Sequence, residues 1–469
     1  MAKDKFTLWK KEQGWERLSE KELKELEKYC SDYIQFISVC KTERLTQKHT
    51  LAALLKAGYQ DLDKLAQKGQ LLKPGAKVYR SVDGKTIFAA IIGSEPIESG
   101  LTLVGAHLDC PRLDLKPNPL FQEDELAYLD THYYGGIKKY QWYTIPLALY
   151  GVVYRRDGKK VEIAIGDGPN DPVLTITDLL PHLDHKQPTT PVGQAFDAEK
   201  MNVLIASKPL KGEKKDATKL AMLKYLKDNY GIEEEDFASA ELEIVPAGAA
   251  RELGLDRSMV LGYGQDDRVC SYGALQALLN SKGIPRKTRA IVLADKEEIG
   301  SYGRTGMDST FIENSVAELV ALTQKDYKEL AVRRALERSN MLSADVSSLH
   351  DPMFPDVSAP NNMAKINCGI QLNKYTGARG KSGSSDASAE FLSQVRTIFN
   401  KAGVIWQVGE LGKVDVGGGG TIALYLARYG MNVVDCGVGL FSMHAPLETA
   451  GKIDIYMAYR AYKAFLEAY

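Results

Sequence analysis

Five segments of this 469-residue chain run from an apolar stretch into a histidine or a carboxylate. LTLVGA leads into His107-Leu108-Asp109, and GYGQDDRVC sets Asp266 and Asp267 just before a helical pattern. AIVLA leads into Asp295-Lys296-Glu297-Glu298, NMLSA into Asp345, and VVDCGVGLFSM into His444. Each has an ordinary reading when taken alone. An Asp pair before a helix serves as an N-cap, an acidic pair forms a solvated turn, and a lone histidine is a satisfied core residue. Together they call for a common cause, because open α/β sheets bind ligands at the carboxyl ends of their strands. Adjacent glutamates directly after an apolar strand repel each other, and a dication relieves that repulsion. Mixed histidine and carboxylate donors suit zinc, with cobalt or manganese as alternatives. Five donors exceed the needs of one four-coordinate zinc with an open position. They match two divalent ions sharing a bridging carboxylate, ~3.5–4 Å apart, as in phosphatases, nucleases and aminopeptidases. Such a pair polarises a carbonyl and brings the pKa of a bound water toward ~7. A free carboxylate beside that water then works as general base. Two adjacent glutamates can divide these tasks, one binding metal and the other moving protons.

The elements that must position these residues read as a layered α/β fold. Ser19 followed by Glu22 is a capping-box pattern. It opens a helix whose apolar positions Leu23, Leu26, Cys30, Tyr33, Ile34 and Ile37 recur at three- and four-residue steps. A second helix is expected over Thr46–Lys56. The strands KVYRSVD, TIFAAIIG and LTLVGAHLDC follow. From about 119 to 247 the texture is β-rich, with YTIPLALYGVVYRRDGKKVEIAIG reading as two strands around an Asp-Gly turn. A charged helix there ends at Gly231. Beyond 250 strands and helices alternate, which argues for an α/β sheet. The helix after Asp267 is expected to stop at Gly283, and another is expected at about 386–402. The division expected is a discontinuous catalytic domain, residues 1–118 and 248–469, interrupted by a β-rich insertion, 119–247.

Composition narrows the partners. Sixty basic and 61 acidic side chains leave a net charge of −1, which argues against a nucleic-acid groove or an anionic membrane as partner. The amino-terminal stretch has no apolar core of a secretory leader, and no run approaches the ~20 residues of a membrane helix. The six cysteines form no CxxC pair, which fits reduced thiols in the cytoplasm.

The strings VGAHLDCPRLDLKPNP, DDRVCSYGAL, DKEEIGS, SADVSS and GLFSMHAP stand in the order found in the aspartyl aminopeptidase/aminopeptidase I family. From about residue 20 to the end, the chain resembles these dinuclear zinc exopeptidases. The resemblance implies a phosphorylase/hydrolase-like three-layer metallopeptidase domain with an inserted dimerisation domain. It implies His107 and Asp345 on one metal, Asp266 bridging, and Glu298 and His444 on the other. Glu297 would be the general base acting on the bridging water, and Asp109 would hold the His107 ring. The family pairs subunits through the insertion and commonly builds dodecamers. It also sends a histidine from the insertion into the neighbouring subunit's site. LLPHLDHK offers His182 and His185 for that role, His182 first because it follows Pro181.

The segment QLNKYTGARGKSGSSDASAE (371–390) departs from the string of relatives specific for acidic residues. A carboxylate-binding pocket needs a cation. Lys374 is the first candidate, with Arg379 and Lys381 behind it, and members preferring neutral residues also exist. GARGKS is no phosphate loop, because Tyr375 stands where GxxxxGK[ST] requires glycine. GGGGT (417–421) reads as backbone that must approach the site closely. The expectation is a metal-dependent aminopeptidase acting on short peptides. A deacylase or carboxypeptidase on the same core is the first rival, and a non-catalytic assembly protein the second.

Overall fold

The computed structural model of the chain describes residue 9, residues 11–168 and residues 170–469. Residues 1–8 and Lys10, part of the stretch read for a leader, lie outside the described residues. Among the described residues the fold is mixed α/β with three sheets. The largest has nine strands, ordered 60–61, 77–82, 86–91, 288–294, 101–107, 340–343, 432–437, 370–373 and 406–408. At its centre Leu101–His107 pairs in parallel with Thr288–Ala294 on one side and Asn340–Ser343 on the other. Asn340–Ser343 then pairs in parallel with Asn432–Gly437. The register sets Ala294 beside His107 and Ser343 beside both Gly105 and Asp435. Four strands therefore end at one edge, which is why the residues following them meet.

Both faces of this sheet are covered, so Leu101–His107 and Thr288–Ala294 are buried at every position. Val104, Ala106, Ile291 and Leu293 pack with Tyr33, Leu275 and Tyr462, from the helices Glu20–Val39, Gln265–Leu279 and Lys452–Glu467. Leu101, Leu103, Ala290 and Val292 face the other way, toward Val316, Leu319 and Val332 of Phe311–Thr323 and Glu329–Glu337. Alternation along each strand delivers one residue set to each face. Each buried large aliphatic side chain contributes about 1.5–3 kcal/mol.

Local signals explain the element ends. The Ser19–Glu22 box is formed on both sides, with Ser19 N–H donating to Glu22 at 3.0 Å and Glu22 N–H to Ser19 Oγ at 3.4 Å. The second helix begins earlier than expected, at Glu43, because the Thr42 hydroxyl caps Leu45 N–H at 3.2 Å. The helix after the Asp pair ends at Leu279, ahead of the expected stop at Gly283, with the Asn280 N–H closing onto Gln276. The helix expected at 386–402 spans Ala389–Lys401, capped by Ser388.

A second sheet, antiparallel and six-stranded, is built from residues 112–246 in the order 160–165, 147–154, 240–246, 112–123, 126–134 and 203–206. Leu147–Tyr154 and Lys160–Ile165 form the hairpin expected around Asp157-Gly158. A third sheet of five short strands includes Met259–Gly262, Gly439–Phe441 and Glu448–Gly451. It carries the turns that present Asp266 and His444. All six cysteines are buried and unpaired. Among the described residues no helix is long and apolar enough to cross a membrane.

Candidate metal centre

Asp266 lies between two histidines. Its Oδ1 is 3.2 Å from His107 Nε2 and its Oδ2 is 3.1 Å from His444 Nε2. Around His107 Nε2 stand Asp345 Oδ1 at 3.8 Å and Glu297 Oε2 at 4.0 Å. Glu298 Oε2 is 3.5 Å from His444 Nε2. The six residues singled out from scattered strand ends thus form one cluster.

The groups behind the histidines fix their rings. His107 Nδ1 faces the Asp109 carbonyl at 3.0 Å, with Asp109 Oδ1 at 3.3 Å. His444 Nδ1 faces the carbonyl of Gly136 at 2.9 Å. A carbonyl oxygen only accepts, so Nδ1 carries a hydrogen on each ring; Nε2 faces the acids, donating to them when the ring is protonated and offering a lone pair to a cation when it is neutral. The fully buried Asp109 also accepts Glu297 N–H and Glu298 N–H, both at 3.1 Å, and the Tyr134 hydroxyl at 2.9 Å. It therefore orients a histidine and the Glu297-Glu298 turn at once. Burial and the adjacent Asp109 push the Tyr134 phenol up, so it stays a donor.

The electrostatics favour positive charge. Burial opposes protonation of both histidines, yet their carboxylate neighbours push His107 well up and His444 up to about 10. Burial raises Asp266, but the two histidines hold it below the usual range. Burial, with Asp345, Asp109 and Asp266 nearby, pushes Glu297 up to about 8 against the pull of His107. Glu298 is driven up by burial and Asp266, and Asp345 by burial. Glu298 Oε1 and Asp267 Oδ1 are buried without a hydrogen-bond partner. Ligand atoms of His107, Asp266 and Glu298 lie within 4.8 Å of one another, and so do those of His107, Asp267 and Asp345. Orphaned carboxylate oxygens, two oriented Nε2 atoms and a surplus of acids fit divalent cations.

Four residues of this arrangement escaped the sequence reading as site residues. Asp267 was visible as half of the acidic pair; it accepts His107 N–H at 3.3 Å. Glu448 follows His444 by four residues and clamps its turn. Tyr134 and Gly136 come from the second sheet and carry no sequence signal linking them to the cluster.

The cluster opens into a cavity of about 280 Å³, lined also by Arg379, Lys381 and residues 417–421. The glycine run does bring backbone close: a Cβ on Gly418 would stand 2.5 Å from the Gly377 carbonyl. Arg379 and Lys381 face this cavity, whereas Lys374 does not. Lys374 lines a neighbouring groove with Trp9 and Trp406, and its Nζ is paired with Asp386 at 2.6 Å. His182 and His185 are exposed in the segment of the second sheet's long loop and are not among the residues facing the cavity.

Comparison with known proteins identifies the family. The family described as Aminopeptidase I zinc metalloprotease (M18) matches residues 36–466. A "Probable M18 family aminopeptidase 1" of Clostridium acetobutylicum is 50% identical over 454 residues, covering 97% of each chain. The crystal structure of the M18 aminopeptidase from Thermotoga maritima superposes with a TM-score of 0.93 at 42% identity, covering 98% of this chain and 100% of that one. The fold extends to a more distant structure, the mApe1 dodecamer of S. cerevisiae, with a TM-score of 0.76 at 22% identity over 93% of this chain and 95% of that one. The chain belongs to the peptidase M18 family, the aminopeptidase I zinc metalloproteases.

Proposed function

We propose that this aminopeptidase releases the N-terminal residue of short peptides at a two-metal centre. The observation that carries the reading is Asp266, whose two carboxylate oxygens each face the Nε2 of a different histidine. His107 and Asp345 would hold one ion, Glu298 and His444 the other, and Asp266 both. When bound, the two ions, zinc first with cobalt or manganese as alternatives, polarise the scissile carbonyl and acidify the attacking water.

Glu297 is the general base. It is 18% exposed at the cavity edge, and its backbone is held by Asp109. Its carboxylate takes a proton from the attacking water as the carbonyl carbon gains oxygen. It then passes that proton to the departing amine nitrogen as the C–N bond breaks. Asp109 holds the His107 ring and the base in one geometry. The cavity's small volume favours a chain end over the middle of a folded polypeptide.

The catalytic domain would be a phosphorylase/hydrolase-like three-layer fold made of residues 1–118 and 248–469, and the protein would work in the cytoplasm. Residues 119–247 would pair subunits, and pairs would build a dodecamer, the assembly of mApe1 from S. cerevisiae. Leu179, Leu180 and Leu183 support such pairing, being 49%, 50% and 62% exposed beside His182. His182, rather than His185, would reach a neighbouring subunit's site. Light scattering on the purified chain tests the assembly.

The test of activity is a panel of aminoacyl chromogenic substrates carrying Asp, Glu, Leu or Lys, each with zinc, cobalt or manganese. Hydrolysis of free-amine substrates and not of their N-acetyl forms is expected. Cleavage of acetylated substrates would instead favour the deacylase reading. Which N-terminal residue is preferred follows from the same panel.

A further inference from the structure

Tyr134, Gly135 and Gly136 end the strand Leu126–Tyr134 of the second sheet, while the histidines and acids of the cluster follow strands of the other two. This short segment nevertheless touches both halves of the cluster. The Tyr134 hydroxyl donates to Asp109 Oδ2 at 2.9 Å, and Asp109 backs the His107 ring. Two residues on, the Gly136 carbonyl faces His444 Nδ1 at 2.9 Å. Between them Gly135, at φ +71°, passes so close that a Cβ would stand 3.2 Å from Glu298 Cβ and Oε2.

The segment is itself held from behind. The Arg112 guanidinium stacks 4.0 Å from the Tyr134 ring centroid. Arg112 is buried and pairs with Asp114 at 2.7 Å, Glu43 at 3.3 Å and Glu243 at 3.4 Å. Glu43 belongs to the helix Glu43–Lys56, outside the second sheet, and Glu243 to a strand within it. A buried charge with three acidic partners is costly to disturb, so the ring has one seat. The hydrogen-bonded group behind a liganding histidine sets its tautomer and the direction of its free lone pair.

We infer that Tyr134–Gly135–Gly136 is a positioning element through which the second sheet orients both histidines for metal binding. The inference rests on reading His107 and His444 as ligands. It makes the second sheet part of the metal centre as well as a surface for assembly.

Cobalt titration of the chelated full-length protein, followed by visible absorption, tests it. Tyr134→Phe removes one oxygen and leaves the ring on Arg112. The variant is expected to melt at the wild-type temperature, to bind one of two cobalt ions about tenfold or more weakly, and to show a changed spectrum. Its kcat is expected to fall with KM unchanged. Gly135→Ala is expected to perturb binding from the Glu298 side. A Tyr134→Phe protein that titrates and absorbs as the wild type overturns the inference. A Tyr134→Phe protein that does not fold overturns it too, since Tyr134 would then serve the fold and not the histidines. Failure of the wild type to bind cobalt would strike the metal reading itself, a different result from either.

Discussion

Glu448 accepts the backbone N–H of Asp266 through one carboxylate oxygen, at 3.1 Å, and that of His444 through the other, at 2.8 Å. Only 1% of Glu448 is exposed. One buried side chain thus fixes the distance between the proposed bridging ligand and a terminal one. Replacing it by Ala leaves two buried donors unsatisfied, at about 1–3 kcal/mol each. Glu448→Ala is therefore expected to lose roughly that much in urea unfolding, and Glu448→Gln less, since Gln keeps one acceptor.

Glu297→Gln keeps the size and most contacts of the proposed base but cannot take a proton. The expected result is full metal content by elemental analysis with hydrolysis lowered at least ~10²–10⁴-fold. A Gln variant as active as the parent would remove Glu297 from that role.

Metal removal should expose the repulsion among Asp266, Glu297, Glu298 and Asp345. Chelation is expected to abolish activity and lower the melting temperature, with both restored by zinc or cobalt. Saturation to 100 times Kd adds about 2.7 kcal/mol to the folded state. Fewer than one bound ion per chain after add-back would defeat the two-metal reading.

The amino-terminal capping box has its own pH signature. The backbone N–H and hydroxyl of Ser19 hold Glu22 down to about 2, with Arg460 adding to the effect at 2.7 Å. A depressed carboxyl contributes stability above its unfolded value of about 4.5, and loses it as pH falls through about 2. Wild type is expected to be more stable than Glu22→Gln at pH 6. The gap should shrink below pH 4.5 and close near pH 2, as read from urea midpoints.

Much of the centre was legible because strand ends in an α/β sheet collect ligands. His107 and Asp345 follow a short apolar run directly, and Glu297 and Glu298 come within four residues of one, so the order of residues along the chain is enough to pick them out. Element ends were less legible: Thr42 and Asn280 moved two helix boundaries through local hydrogen bonds that periodicity does not record.

By itself the sequence determined which histidines and carboxylates the cluster holds, the alternation of strands and helices, and the family. These depend on residue type and local spacing. Tertiary structure alone decided that Lys374 turns to Asp386 outside the cavity, that Tyr134 stands behind Asp109, and that Gly136 stands behind His444, 308 residues along the chain. It decided also that Asp266 faces two rings at once. The physical reason is that these relationships join separate sheets, and the register between sheets is set by packing and buried charge, which no local pattern encodes.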